Sequence, residues 1–117
     1  MTPTGDDFRR GDVVVCVLPG DYGKPRPAVV VQSDLFNETH ASLTLCPITS
    51  HRVDAPLFRL PIPASPKNGL AADSDIMVDK IMTIRRERIA RRIGRLSREQ
   101  IRALDRALRL WLGLKPE

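Results

Sequence analysis

The sequence predicts an α+β fold, mostly β: a small, curled antiparallel sheet followed by one C-terminal helix. Three observations predict it. Short β-branched runs recur roughly every 10 to 15 residues through the first two-thirds of the chain. The apolar period changes from two to that of a helix after Ser97. Aromatic residues make up 4% against 42% apolar, so the core must be built from Val, Ile and Leu. At 117 residues the chain is expected to form one domain.

The elements follow in order. Gly11–Leu18 reads GDVVVCVL and is closed by Pro19-Gly20. Pro27–Gln32, PAVVVQ, is a second strand after the turn-rich PGDYGKPR. Ser42–Ile48 alternates, with Leu43, Leu45 and Pro47 on one side and Ser42, Thr44, Cys46 and Ile48 on the other. Leu57–Ile62 is a short strand whose Pro61 belongs at an edge or a bulge. Residues 63–74 read as loop, with Asn68-Gly69 as its turn. Asp75–Val78 and Lys80–Ile84 form a last strand pair or one bent strand.

RRERIARRIG, residues 85–94, is ambiguous; its Ile89 and Ile93 pair at i,i+4 as in a short helix ended by Gly94. Ser97 with Gln100 then makes a capping box. Ile101, Leu104, Leu108 and Trp111 form an apolar stripe to lie on the sheet, and Asp105 is spaced to pair with Arg109. Gly113 and Pro116 mark the helix end.

Charge narrows the function. The net charge is +5, and segment 85–109 carries ten arginines against Glu87, Glu99 and Asp105. Such a field concentrates polyanions, and the planar guanidinium suits phosphate. No run of about 18 apolar residues indicates a membrane span. Met1–Arg10 lacks the apolar core of a signal peptide, so a cytoplasmic location is expected. Cys16 and Cys46 lie in apolar runs and read as buried, reduced thiols. His40 and His51 stand alone, so no metal site and no cofactor are expected.

No P-loop, GxGxxG or Ser-His-Asp pattern is present. The residue that raises a question is Arg26. It sits between Pro25 and Pro27 at the mouth of a valine strand. Pro27 keeps Arg26 out of the helical region, and Pro25 fixes the backbone before it. Either the guanidinium makes a surface salt bridge, with Asp21 or Asp34, or it is held ready for an anion.

These residues resemble a known family. RRGDVVVCVLPGDYGKPRPAVVVQSDLFN, LCPITS, GLAADSDIMVDKIMTIRRERIARRIGRLS and the helix ending LWLGL occur in the order and spacing of the MazF/PemK toxins of toxin–antitoxin systems. The match runs from about residue 10 to residue 114. The resemblance implies an SH3-like antiparallel barrel with a C-terminal helix, an outline shared with CcdB-type gyrase poisons. It implies a homodimer and a metal-independent endoribonuclease. Such an enzyme cuts single-stranded RNA, as in mRNA, through the ribose 2′-hydroxyl, leaving 2′,3′-cyclic phosphate and 5′-hydroxyl ends. A small acidic antitoxin is the implied partner.

On the matched motifs Arg26 and Thr49 carry catalytic roles, and Asp79 stands where the family has an acid. Tyr22 can stack on a base and Lys24 can meet phosphate, with Ser50, Lys80 and His40 as further RNA-binding candidates. The loop before Arg26, PGDYGK, is shorter than the family's usual one, so its cleavage sequence is not inherited. The competing readings are a gyrase-poison-like toxin on the same barrel and a non-catalytic nucleic-acid or antitoxin-binding module.

Overall fold

The computed structural model describes residues 7–115. The expectations for residues 1–6 and for Pro116 lie outside that range. Seven strands and two α-helices follow one another: β1 (Asp12–Val17), β2 (Pro25–Val30), α1 (Asp34–Asn37), β3 (Ser42–Thr49), β4 (Arg59–Ile62), β5 (Ser74–Met77), β6 (Met82–Arg85), β7 (Ile89–Arg95) and α2 (Arg98–Leu112). The sheet runs β4-β5-β3-β2-β1-β7, with β6 also paired to β3. All pairings are antiparallel. The sheet is curled but not closed, a small barrel-like fold.

The centre of this arrangement is β3. Its first half pairs with β6, from Ser42 opposite Arg85 to Leu45 opposite Met82. Its last residues pair with β5, Ile48 opposite Ile76 and Thr49 opposite Asp75. On its other edge it pairs with β2. The alternation seen in the sequence therefore holds, but both faces are buried. Cys46 and Ile48 join a core cluster with Val13, Val29, Leu104 and Leu108 under α2. Leu43 and Leu45 join a second cluster with Val14, Cys16, Ala28 and Val30 on the opposite face.

Residues 85–94 do not form a helix. A 3₁₀ turn at Arg86–Arg88 leads into β7, which pairs with β1. Free hydrogen-bonding groups on the β1 edge outweigh the i,i+4 isoleucine pair, because a buried strand edge must be satisfied. Gly94 is thus a strand residue, not a helix stop. Pro61 lies on the edge strand β4, where its missing N–H costs no ladder bond. The Asp75–Val78 and Lys80–Ile84 pair is separated by a 3₁₀ turn, Val78–Lys80, that contains Asp79.

The helix keeps its predicted ends. Ser97 and Gln100 form both bonds of the capping box, and Gly113 closes the helix with φ 70°. Leu104 and Leu108 are buried, and Trp111 rests tilted on Phe58. The expected Asp105–Arg109 pair does not form, because Asp105 binds Arg10 at 2.8 Å and so ties the helix to the start of β1. Asp12, fully buried, accepts the Arg9 N–H at 2.8 Å and pairs with Arg95 at 2.9 Å and Arg92 at 3.3 Å. It locks β1 to β7.

The 63–72 loop packs on β7 without any side chain between the backbones. A methyl group at Gly94 would collide with the backbone of Lys67 and Asn68. Gly94→Ala is expected to destabilise the fold by about 1–3 kcal/mol, as overpacking does, measured by denaturant unfolding. Burial also pushes the Cys16 thiol up from 9.0 to about 11, helped by the Asp21 charge. It pushes Cys46 up to about 12, with Arg10 lowering and Asp79 raising it. The folded chain keeps these protons after the unfolded chain has lost them. Their contribution is therefore complete below pH 9.0 and lost as pH rises through 11 and 12. The fall in stability from about pH 8 to about pH 10.5 should be shallower in Cys46→Ala.

Candidate active site

The strand ends at one pole of the sheet build the site. β2 pairs with β3 through Ala28 opposite Pro47, Val29 opposite Cys46 and Val30 opposite Leu45. Continued by two residues, that register sets Arg26 level with Thr49. Arg26 is itself opposite Cys16 of β1. Side chains directly opposite one another share a face. Arg26 and Thr49 thus share the face of Cys16 and Leu45, at its open end.

Arg26 is not sealed in the sheet. Its side chain is 46% exposed, and its Nε lies 3.6 Å from Asp21 Oδ2. That separation is an ion pair but too long for a good hydrogen bond. Of the two acids open to it in the sequence, Asp34 is engaged elsewhere, accepting the Arg10 N–H at 2.7 Å. The guanidinium therefore has one loose partner and solvent-facing donors. Thr49 Oγ1 accepts the His51 N–H at 3.1 Å, an ST-type turn. The hydroxyl proton remains available as a donor. Ser50 follows it, exposed.

The loop between β1 and β2 stands beside this pair. Its backbone turns on two bonds, Asp21 N–H to Leu18 carbonyl and Lys24 N–H to Asp21 carbonyl. Gly20 and Gly23 have φ of 88° and 79°, and between them Tyr22 takes φ 52°. A bulky residue in the left-handed region is uncommon, and costs about 1–2 kcal/mol. The Tyr22 ring is fully exposed, so no buried contact offsets that cost. Lys24 is exposed on the same loop.

The other sequence candidates sit elsewhere. His40 is exposed before the opposite end of β3, more than about 20 Å of strand from Thr49. Asp79 and Lys80 occupy the 3₁₀ turn after β5. The Asp79 charge reaches Cys46, whose side chain belongs to the cluster under α2. One of its oxygens is buried without a hydrogen-bond partner. No hydrogen bond or ion pair joins Asp79 to Arg26 or Thr49 among the described residues. The structure gathers Arg26, Thr49, Ser50, Tyr22 and Lys24 at one pole, and leaves His40, Asp79 and Lys80 apart from them.

Three residues at this pole escaped the sequence reading. Asp75 is buried and opposite Thr49 in the β3–β5 register. Arg52 approaches it at 3.5 Å and Arg59 at 3.6 Å. A lone acid in the otherwise apolar strand DIMV was the available signal, since a buried carboxylate needs partners. Asp21, considered only as a salt-bridge partner, is the acid nearest Arg26. Both thiols stay protonated at neutral pH and are free and buried, which excludes them as nucleophiles. Among the described residues, no group of three or more His, Cys, Asp or Glu side chains is arranged to hold a metal ion. Nor is any helix long and apolar enough to cross a membrane.

A curled sheet of this topology, capped by one C-terminal helix, is found in solved toxin structures, and the sequence matches a known family. Residues 9–112 match the PemK-like, MazF-like toxins of type II toxin–antitoxin systems. The probable endoribonuclease MazF of Mycolicibacterium smegmatis is 42% identical over 108 residues, covering 92% of this chain and 98% of the relative. Endoribonuclease MazF9 of Mycobacterium tuberculosis is 37% identical over 116 residues, with the same coverage. The Mycobacterium tuberculosis toxin MazF-mt6 superposes with a TM-score of 0.77 at 25% identity, covering 89% of this chain and 98% of that one. A mycobacterial endoribonuclease in complex with its cognate antitoxin gives 0.77 at 21% identity, covering 94% and 99%. The chain belongs to the PemK/MazF toxin family.

Relieving the strain at the loop tip separates structure from use. Tyr22→Gly is expected to leave the unfolding free energy unchanged or slightly raised, because glycine adopts this φ without penalty. A thermal or denaturant melt checks it.

Proposed function

We propose that this chain is the toxin of a type II toxin–antitoxin pair, a single toxin domain of about residues 10–114 that cuts single-stranded RNA in the cytoplasm without a metal ion. The observation that carries the reading is Arg26: braced by prolines, half exposed, loosely paired, and level with the Thr49 hydroxyl. The activity in the names of the M. smegmatis and M. tuberculosis relatives supports it.

The chemistry follows from the groups present. The ribose 2′-oxygen attacks phosphorus, the bond to the 5′-oxygen breaks, and a cyclic phosphate and a 5′-hydroxyl result. Negative charge builds on the phosphoryl oxygens in between. A fixed guanidinium stabilises that charge more than it stabilises the starting ester. Thr49 donates a hydrogen bond to the same phosphate. The 2′-hydroxyl proton goes to Asp21, the carboxylate nearest Arg26, and a proton from solvent meets the departing 5′-oxygen. Tyr22, Lys24 and Ser50 grip the strand around the cut. Asp79 has no proton to carry in this scheme, and His40 and Lys80 lie outside it.

The partners are an antitoxin and a second copy of the chain. The antitoxin-bound mycobacterial structure supports the first, and the basic surface suits an acidic segment that folds on binding. Leu110, Trp111 and Leu114, exposed at the end of α2, support the second. DKIMTI offers less than its composition suggests, since Ile84 is buried and Ile81 and Met82 pack against the two core clusters.

The test is cleavage of an unstructured RNA oligonucleotide in EDTA. Cutting is expected to yield cyclic-phosphate ends and to stop when the scissile ribose carries a 2′-deoxy substitution. Arg26→Ala should reduce the rate by at least about 100-fold with an unchanged melting temperature. Asp21→Asn should lower kcat more than Asp79→Asn does. Tyr22→Gly should weaken binding of an uncleavable RNA by about 1–3 kcal/mol. Inhibition of gyrase with RNA left whole would replace this reading with the gyrase-poison one.

A further inference from the structure

We infer that Asp75 is a positioning residue: it fixes the turn from Thr49 to Val53 and so sets the direction of the Thr49 hydroxyl. This inference rests on the role given to Thr49 above.

Asp75 contributes its backbone to the ladder directly opposite Thr49, on the strand between β3 and β4. Its side chain is 2% exposed, yet its polar contacts converge on one short turn. Asp75 Oδ2 accepts the Val53 N–H at 3.1 Å. Asp75 Oδ1 faces Arg52 Nε at 3.5 Å. Arg59 Nη1 lies 3.6 Å from Oδ2 and donates to the His51 carbonyl at 3.2 Å. His51 in turn donates its N–H to Thr49 Oγ1. Residues 51, 52 and 53 are each tied to the carboxylate, directly or through Arg59, and residue 51 holds the hydroxyl.

Among the described residues, no other hydrogen bond or ion pair pins this turn. Residues 50–54 are all exposed and lie outside any helix or strand. Val53, its one large apolar side chain, is 44% exposed. An apolar residue at position 75 would pack between β3 and β4 without the desolvation a buried carboxylate suffers. The acid is thus poorly explained by stability and well explained by orientation. Its two arginines leave the corner with a net positive charge, and Arg52 is half exposed.

The test compares Asp75→Asn with the parent chain by two readouts. The first is amide hydrogen exchange, which needs no activity. Exchange at His51 and Val53 should speed up by about tenfold or more, while amides of β1 and α2 keep their rates. The second is a double-mutant cycle on RNA cleavage. Asp75→Asn should lower kcat by about 10-fold or more with little change in KM. In a Thr49→Ala background the same substitution should have almost no further effect. Unchanged exchange at His51 and Val53, an unchanged kcat, or losses that multiply across the cycle would each overturn the inference. Should Asp75→Asn fail to fold, Arg52→Gln on the exposed partner runs the same two readouts with the same expected signs. A parent chain that leaves RNA whole would overturn the function proposed for Thr49, while the exchange result would still decide what Asp75 holds.

Discussion

The fold turns on the three-way pairing of β3. One strand of eight residues shares its edges with β2, β5 and β6, so it belongs to both halves of the curled sheet. Because its side chains alternate between two differently packed core clusters, a one-residue slip would send each set into the wrong cluster. That constraint fixes where the strand ends. Thr49 arrives level with Arg26 on one side and with Asp75 on the other, two charged residues of opposite sign. A hydroxyl set between a loosely paired cation and a clamped anion is the geometry around which the rest of the pole is assembled.

The two charged residues are held differently, in keeping with the roles proposed for them. Arg26 is positioned by backbone, through its flanking prolines, and its side chain stays about half in solvent. Asp75 is positioned by burial, and its contacts rigidify the neighbouring turn. A group that must meet substrate is restrained at its root and left free at its tip. A group that must hold other groups is enclosed at its tip. The buried Asp12 repeats the second pattern far from the site, binding Arg92 and Arg95 to close β1 on β7.

The strands, the helix and its caps were legible in the sequence because local pattern and tertiary demand agree there. Ser97, Gln100 and Gly113 do what their types do in any helix. Arg26 and Thr49 were legible from motif, and the register explains their proximity. Residues 85–94 were not, since an isoleucine pair at i,i+4 fits a helix or a strand with a bulge, and only the open edge of β1 decides. Asp105 was misjudged for a similar reason: a partner one turn away lost to Arg10, remote in sequence and near in space. Asp75, Arg52 and Arg59 were invisible as a group because they come together only when β4 and β5 fold back beside the end of β3.

The strained tip at Tyr22 bears on how such proteins diversify. The loop is anchored at its base by the buried Leu18, two backbone bonds and the loose Asp21–Arg26 pair, and its tip carries no packed side chain. The tip residues, Gly20 and Tyr22–Lys24, can therefore be exchanged with little effect on the hydrophobic interior. The reactive pair, rooted in the sheet, stays as it is. Under the function proposed above, preference for one nucleotide sequence over another can drift through the exposed tip around Tyr22, while Asp21, Arg26 and Thr49 must be kept.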